Sequence, residues 1–255
     1  MSAYALTSNA KLLARRYLPF YRGLWRLKRF ARQDLAAWVS FVRDTSFKLP
    51  VADRLWLIRR AYLATSNIKS PHTYSEVLSY VSTILSLPQS VEGVVVEAGC
   101  FKGSSTVKFS LAAGLAGREL VVFDSFQGLP LNDDPDFPQG DYWGQLEEVR
   151  GNVAKFGRID CCRFIPGWFD DTMPRFREPI AAVYLDVDLD SSTRTCLKYL
   201  YPLLQPGGVL YSQDGHSSRV IRVFEDEYFW LKEVGCKKPY IEGLRTSKLV
   251  KIRKG

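Results

Sequence analysis

The sequence predicts an α/β fold: a mostly parallel, seven-stranded sheet with helices on both faces, preceded by an N-terminal helical extension. Two observations lead there. From Val94 onward, short β-branched runs alternate with helical stretches, the order that parallel strands and their crossover helices require. The junctions are Gly/Pro turns such as Gln205-Pro206-Gly207-Gly208, which end one element before the next begins. Apolar residues at 46% and charged residues at 24% of 255 are ordinary for a globular chain and too apolar for disorder. No apolar run approaches the roughly 18 residues of a membrane-spanning helix.

The elements follow in order. Helical stretches cover Leu35–Arg43, Ala52–Ala64 and Tyr74–Leu85, the last beginning after Pro71 and His72 and stopping at Pro88. Strands are expected at Val94–Glu97, Glu119–Asp124, Cys162–Ile165, Ala182–Asp186 and Gly208–Tyr211. Helices between them are expected near Ser104–Leu115, Leu146–Phe156, Thr193–Leu204 and Val220–Val234. Two tail strands, near Pro239–Glu242 and Lys248–Ile252, are close enough to pair antiparallel and complete the seven. The organisation is a basic arm at 1–33, a helical extension at 34–90 and one α/β domain at 91–255.

The net charge of +8 is local. Residues 1–33 carry eight Lys and Arg and no acid, so the other 222 residues balance 27 basic against 27 acidic side chains. Between residues 11 and 32 those cations interleave with Trp25, Phe20, Phe30 and several leucines. Such a helix can dock on its own domain or mediate homo-oligomer contacts, and it can equally lie on an anionic membrane surface. A targeting peptide is the third reading, weakened by the missing apolar core of a secretory signal. Nucleic-acid binding is not expected, because the body offers no second basic stripe. Five cysteines, an odd number without metal-site spacing, fit a reduced, cytoplasmic compartment, with membrane association at the inner surface if the arm binds lipid. Neighbours Cys161 and Cys162 are expected to face opposite sides of a strand as core filler.

Ligands of open α/β sheets bind beyond the carboxyl ends of the strands, so the loops there carry the functional reading. The first is Glu97-Ala98-Gly99-Cys100-Phe101-Lys102-Gly103-Ser104-Ser105. Gly99 and Gly103 permit a tight turn and close backbone approach, and Ser104 or Ser105 can cap the next helix. The spacing is neither the dinucleotide G-x-G-x-x-G nor a P-loop. An acid before the turn would repel a pyrophosphate. It suits a zwitterion whose ammonium it holds while backbone amides and the helix N-terminus take the carboxylate, which describes the methionine end of S-adenosylmethionine. A purely structural turn is the alternative.

Asp124, at the second strand end, is placed to accept both ribose hydroxyls; a turn-capping Asp before Ser125-Phe126-Gln127-Gly128 is the alternative. The segment Gly167-Trp168-Phe169-Asp170 offers a ring for adenine stacking and a carboxylate for its exocyclic amine, although Asp170 can also cap a short helix. After the fourth strand, Asp186, Asp188 and Asp190 alternate, and after the fifth comes Ser212-Gln213-Asp214-Gly215-His216. Clustered carboxylates repel unless a cation or a proton relieves them. Oxygen ligands from two adjacent loops suit octahedral Mg²⁺, with Asp190 better read as a helix cap. His216 is a candidate base near this cluster, and His72 a loop or lid residue. Two histidines make no zinc cluster, Cys100 has no visible base partner, and no G-x-S-x-G elbow exists.

In order along the chain, Val96-Glu97-Ala98-Gly99…Gly103-Ser104-Ser105, Asp124-Ser125-Phe126-Gln127-Gly128-Leu129-Pro130, Gly167-Trp168-Phe169-Asp170-Asp171-Thr172-Met173-Pro174, Asp186-Val187-Asp188-Leu189 and Leu200-Tyr201…Gly207-Gly208 resemble the macrocin O-methyltransferase family of class I methyltransferases, over roughly residues 90–216. The resemblance implies a Rossmann-like class I fold and methyl transfer from S-adenosylmethionine to a hydroxyl of a small acceptor, such as a sugar of a natural product. It implies Mg²⁺ held by Asp186 and Asp214, with Asp188 as general base, and it makes Ser125 and the glycine loop part of the donor site. The family has two adjacent acids after the fifth strand, whereas this chain has Gln213-Asp214. Gln213 can offer an amide oxygen to the metal, but one charge is missing. The loop Asn132–Trp143 lies where the family meets its acceptor, and it also reads as a solvated acidic loop. Two rivals follow: a metal-free methyltransferase with His216 as base, and a non-catalytic membrane-surface scaffold that keeps only the fold.

Overall fold

The protein, seen here as a computed structural model, is described over residues 34–255; the basic arm, with its docking, membrane and targeting readings, lies outside the described residues. The helical extension supplies α1 (Leu35–Arg43), α2 (Val51–Asn67) and α3 (Tyr74–Ser86). Then come β1 (Val94–Ala98), α4 (Ser104–Leu115), β2 (Leu120–Asp124), α5 (Leu146–Phe156), β3 (Cys162–Pro166) and α6 (Phe169–Thr172). The chain continues through β4 (Ile180–Leu185), α7 (Asp190–Leu200), β5 (Leu204–Ser212), α8 (Ser218–Glu225), α9 (Glu227–Phe229) and β6 (Val250–Arg253). The strands form one sheet in the order β3-β2-β1-β4-β5-β6. All neighbours run parallel except β5 and β6, which are antiparallel with Val209 opposite Arg253 and Ser212 opposite Val250.

Alternation along the strands builds the two faces, because successive side chains point to opposite sides. Val95, Leu120, Val122, Ala182, Tyr184, Val209 and Tyr211 join one buried cluster with α1 to α5. Val96, Ala98, Val121, Phe123, Val183, Leu185 and Leu210 join the other with α7 to α9 and β6. A sheet covered on both faces needs apolar residues at nearly every strand position, which explains the near-continuous Val/Leu/Ala runs. Helix α4 is buried from Ser104 to Ala113, so it is sandwiched between the sheet and the extension rather than amphipathic. The extension shares this core: Tyr80 of α3 is fully buried, packs 5.0 Å from the Tyr184 ring and donates its hydroxyl to the Val96 carbonyl at 3.3 Å. A capping box, with Thr73 accepting from Glu76 and Glu76 from Thr73, starts α3.

Among the described residues the sheet has six strands, not seven. The expected strand at 239–242 contributes only one bridge, Glu242 with Lys251. Pro239 has no amide hydrogen to donate, and Gly243 at φ 81° turns the chain immediately afterwards. The helix expected at 220–234 breaks at Asp226, whose carboxylate accepts the Phe229 N–H at 2.9 Å and starts α9. Cys161 and Cys162 do not face opposite sides: Cys161 ends a 3₁₀ turn instead of lying in β3, and both thiols donate to the Arg158 carbonyl at 3.2 Å. Both are half-buried, and Cys162 packs against the edge of the core. Among the described residues, no helix is long and apolar enough to cross a membrane.

Candidate active site

The strand order reverses between β1 and β4, the switch point at which open α/β sheets leave a crevice. There the chain leaves β1 through Gly99, at φ 82°, where an added Cβ would stand 2.0 Å from the Asp186 carbonyl oxygen. Only glycine lets the β1 and β4 loops approach this closely. Above them opens a cavity of about 450 Å³, lined by the ends of β1, β2, β4 and β5, by α6, by the loop after β2 and by residues 69–72 of the extension. That size suits a small-molecule site.

At one end stand Gly99, Cys100, Ser104, Ser105, Asp124 and Ser125. Asp124 uses both carboxylate oxygens to hold backbone: Oδ2 accepts the Cys100 N–H and Oδ1 the Phe126 N–H, each at 2.7 Å. It acts at once as the expected turn residue and as a wall of the cavity. Burial raises its pKa, opposed by those N–H bonds. Ser104 and Ser105 do not cap α4; Gly103, at φ 80°, is the capping residue, and Ser104 Oγ instead accepts from Lys108 Nζ at 3.0 Å. Trp168 and Asp170 also line the cavity. Asp170 does not cap α6; it accepts the Thr195 hydroxyl at 2.8 Å.

Three expected donor-site residues, Glu97, Gly103 and Gly167, are absent from the cavity wall. Glu97 lies beneath the floor at 0% exposure, with neither carboxylate oxygen hydrogen-bonded. Burial pushes its pKa up to about 8, so at neutral pH the folded chain keeps it largely protonated. The acids that do reach the cavity wall near Gly99 are Asp124 and Asp186.

At the other end Asp186, Asp188 and Asp214 converge, with one oxygen of each within 4.8 Å of the others. Asp188 sits at φ 58° in a tight turn closed by the Leu189 N–H to the Val187 carbonyl at 2.6 Å. Asp214 Oδ2 supports that turn, accepting the Val187 and Asp188 N–H groups at 3.3 and 3.1 Å. Burial, reinforced by mutual repulsion, raises both Asp188 and Asp214 above the usual carboxylate range, with Lys248 opposing both shifts. A divalent cation among these oxygens would relieve the repulsion, and hard carboxylate oxygens from two loops are the donor set Mg²⁺ takes. The residues fit the metal. Asp190 bonds the Ser191 N–H at 2.9 Å, and Leu189, not Asp190, caps α7. Gln213 lines the cavity, but its Oε1 is engaged by the Tyr184 hydroxyl at 2.8 Å. His216 is exposed on the cavity wall.

Two long-range contacts had no signal in local sequence. His72 Nε2 stands 2.8 Å from Asp186 Oδ2. Arg219 of α8 reaches Asp133 at 2.7 Å and Asp134 at 3.3 Å, on the loop that brings Leu131, Phe137 and Tyr142 to the cavity.

Residues 77–239, well over half of the chain, match the family described as Macrocin-O-methyltransferase (TylF). The chain belongs to the macrocin O-methyltransferase family. One relative, the 8-demethyl-8-(2,3-dimethoxy-alpha-L-rhamnosyl)-tetracenomycin-C 4'-O-methyltransferase of Streptomyces olivaceus, is 35% identical over 149 residues, 52% of this chain and 56% of the relative. Another, the mycinamicin III 3''-O-methyltransferase of Micromonospora griseorubida, is 33% identical over 145 residues, 50% of this chain and 57% of the relative. The chain thus spans little more than half the length of these curated relatives. The solved O-methyltransferase NovP shares the fold, with a TM-score of 0.62 at 23% identity over 78% of this chain and 98% of that one. This macrocin-family chain therefore has the class I methyltransferase fold.

Proposed function

We propose that this chain is an S-adenosylmethionine-dependent O-methyltransferase that methylates a sugar hydroxyl of a glycosylated natural product, assisted by Mg²⁺. One observation carries the reading: a single cavity is lined both by the Gly99 loop with Asp124 and by Asp186, Asp188 and Asp214. Family membership and the activities of the two relatives support it.

In this reading Asp124 accepts the ribose hydroxyls, and the free backbone amides at the start of α4 meet the donor's carboxylate. Trp168 and Asp170 frame the adenine. Asp186 and Asp214 would hold the metal, and Mg²⁺ bound there would supply Lewis acidity that lowers the acceptor hydroxyl's pKa. Asp188 takes the hydroxyl proton as the methyl group passes to the oxygen. Leu131, Phe137 and Tyr142 cover the acceptor and exclude water. Because the donor sulfonium is already activated, holding the two reactants in line supplies much of the rate.

A second reading is metal-free transfer with His216 as base, favoured by Gln213, whose amide oxygen is already taken by Tyr184. Label transfer from S-[methyl-³H]adenosylmethionine to rhamnosylated acceptors, with and without chelator, separates the two. Loss of transfer in chelator and recovery on adding Mg²⁺ is expected. Full activity in chelator discards the metal, and no transfer to any hydroxylated acceptor discards the methyltransferase reading.

A further inference from the structure

His72 does not come from the strand ends that supply the acids. It closes the segment between α2 and α3, yet its side chain is buried at 4% exposure and its Nε2 lies 2.8 Å from Asp186 Oδ2. The segment is held in place. The Thr73–Glu76 capping box fixes the chain one residue later. Ser70 Oγ accepts the His72 backbone N–H at 3.3 Å and stands 3.5 Å from Nδ1. The imidazole meets the Tyr184 ring edge-on at 6.2 Å. A carboxylate only accepts, so the ring tautomer that satisfies this arrangement carries its proton on Nε2 and donates it to Asp186, leaving Nδ1 to face the Ser70 hydroxyl. His72 is not a fourth member of the acidic group; the converging ligand atoms belong to Asp186, Asp188 and Asp214 alone.

We propose that His72 is a positioning residue for the cation site: it locks the Asp186 carboxylate in its ligating orientation and makes metal binding depend on the helical extension. Carboxylates that ligate metals are themselves held by hydrogen bonds, and removing such a partner typically weakens metal affinity about 10–100-fold. His72 fills that role from outside the sheet, so the segment Lys69–His72 is part of the site as well as part of its wall. The inference rests on the metal-assisted reading above.

Binding of Mn²⁺, followed by loss of the free-ion paramagnetic resonance signal, tests it in the full chain. The comparison is wild type, His72→Ala and His72→Gln, with S-adenosylhomocysteine titrated into the same samples. The Ala variant is expected to bind Mn²⁺ about 10–100-fold more weakly with unchanged S-adenosylhomocysteine affinity. The Gln variant, whose amide N–H can take the place of Nε2–H, is expected to recover most of that loss. Equal Mn²⁺ affinity in wild type and His72→Ala overturns the proposal. So does a joint loss of both ligands that Gln fails to rescue, the mark of a merely structural role. A wild-type chain that binds no Mn²⁺ removes the metal reading itself and this inference with it.

Discussion

Asp124 and Cys100 are joined by a 2.7 Å hydrogen bond from the Cys100 backbone N–H to Asp124 Oδ2, tying the carboxyl ends of β1 and β2 together. The other oxygen of Asp124 takes the Phe126 N–H, so the carboxylate shapes both loops that would hold the donor. Asp124→Asn replaces one acceptor with an NH₂ that must face a backbone N–H. Hydrogen bonds to charged groups contribute about 1.5–3 kcal/mol, so calorimetry should show S-adenosylhomocysteine binding weakened about tenfold or more. Unaltered affinity would remove Asp124 from the donor site.

Asp188 holds a left-handed backbone conformation at φ 58° that Asn tolerates nearly as well as Asp. Asp188→Asn therefore removes the proton acceptor without disturbing the turn. Single-turnover rates should fall roughly 10²–10⁴-fold, with donor affinity and melting temperature close to wild type. Asp188→Ala should lose the same rate and, in addition, about 1 kcal/mol of stability from backbone strain. Retained turnover in the Asn variant would move the base elsewhere, with His216 next to be replaced.

The Arg219 pairs to Asp133 and Asp134 hold the loop after β2 beside the cavity, where the proposed acceptor would sit. Asp133 is largely exposed, so solvent screening keeps its pair with Arg219 weak. Arg219→Ala is expected to raise the acceptor KM by up to about fivefold while leaving S-adenosylhomocysteine affinity unchanged. A fall in donor affinity instead would show that the loop serves the other end of the cavity.

Glu97 and Lys108 give stability a readable pH dependence. Burial raises Glu97 from 4.5 to about 8 and lowers Lys108 from 10.5 to about 7. Above pH 4.5 the unfolded chain releases a proton that folded Glu97 keeps, so its contribution is full at low pH and declines as the pH climbs to 8. Lys108 acts in the opposite sense, losing its contribution as the pH falls from 10.5 to 7. Between pH 5 and 7 the slope of this pair belongs to Glu97. Urea unfolding at those two pH values should show Glu97→Gln losing less stability on the way up than wild type, by on the order of 2 kcal/mol. Parallel behaviour of the two proteins would mean that Glu97 is ionised in the fold.

Much of the architecture is legible in local pattern. The β-branched runs mark β1 and β2 to within a residue, because parallel strands buried on both faces must be apolar almost throughout. Ser104–Leu115 and Leu146–Phe156 are helices over their expected spans. The tail is less legible: Pro239 and Gly243 leave room for a single bridge at Glu242, a matter of missing donors and a turn rather than of hydrophobicity. The acidic cluster could be anticipated because alternating aspartates at two neighbouring strand ends must meet. The place of Glu97 before the glycine turn predicts a ligand-facing acid. Strand parity turns it to the Val95 side, under α4, where burial favours its neutral form. The contacts of His72 with Asp186 and Arg219 with Asp133 join residues 114 and 86 positions apart, and no local period carries such pairs.

The most direct test of the central claim is a calorimetric titration of the full chain with S-adenosylhomocysteine. One saturable site per chain is expected, weakened by Asp124→Asn. An absence of binding, together with saturable uptake of NAD at the same crevice, would contradict it.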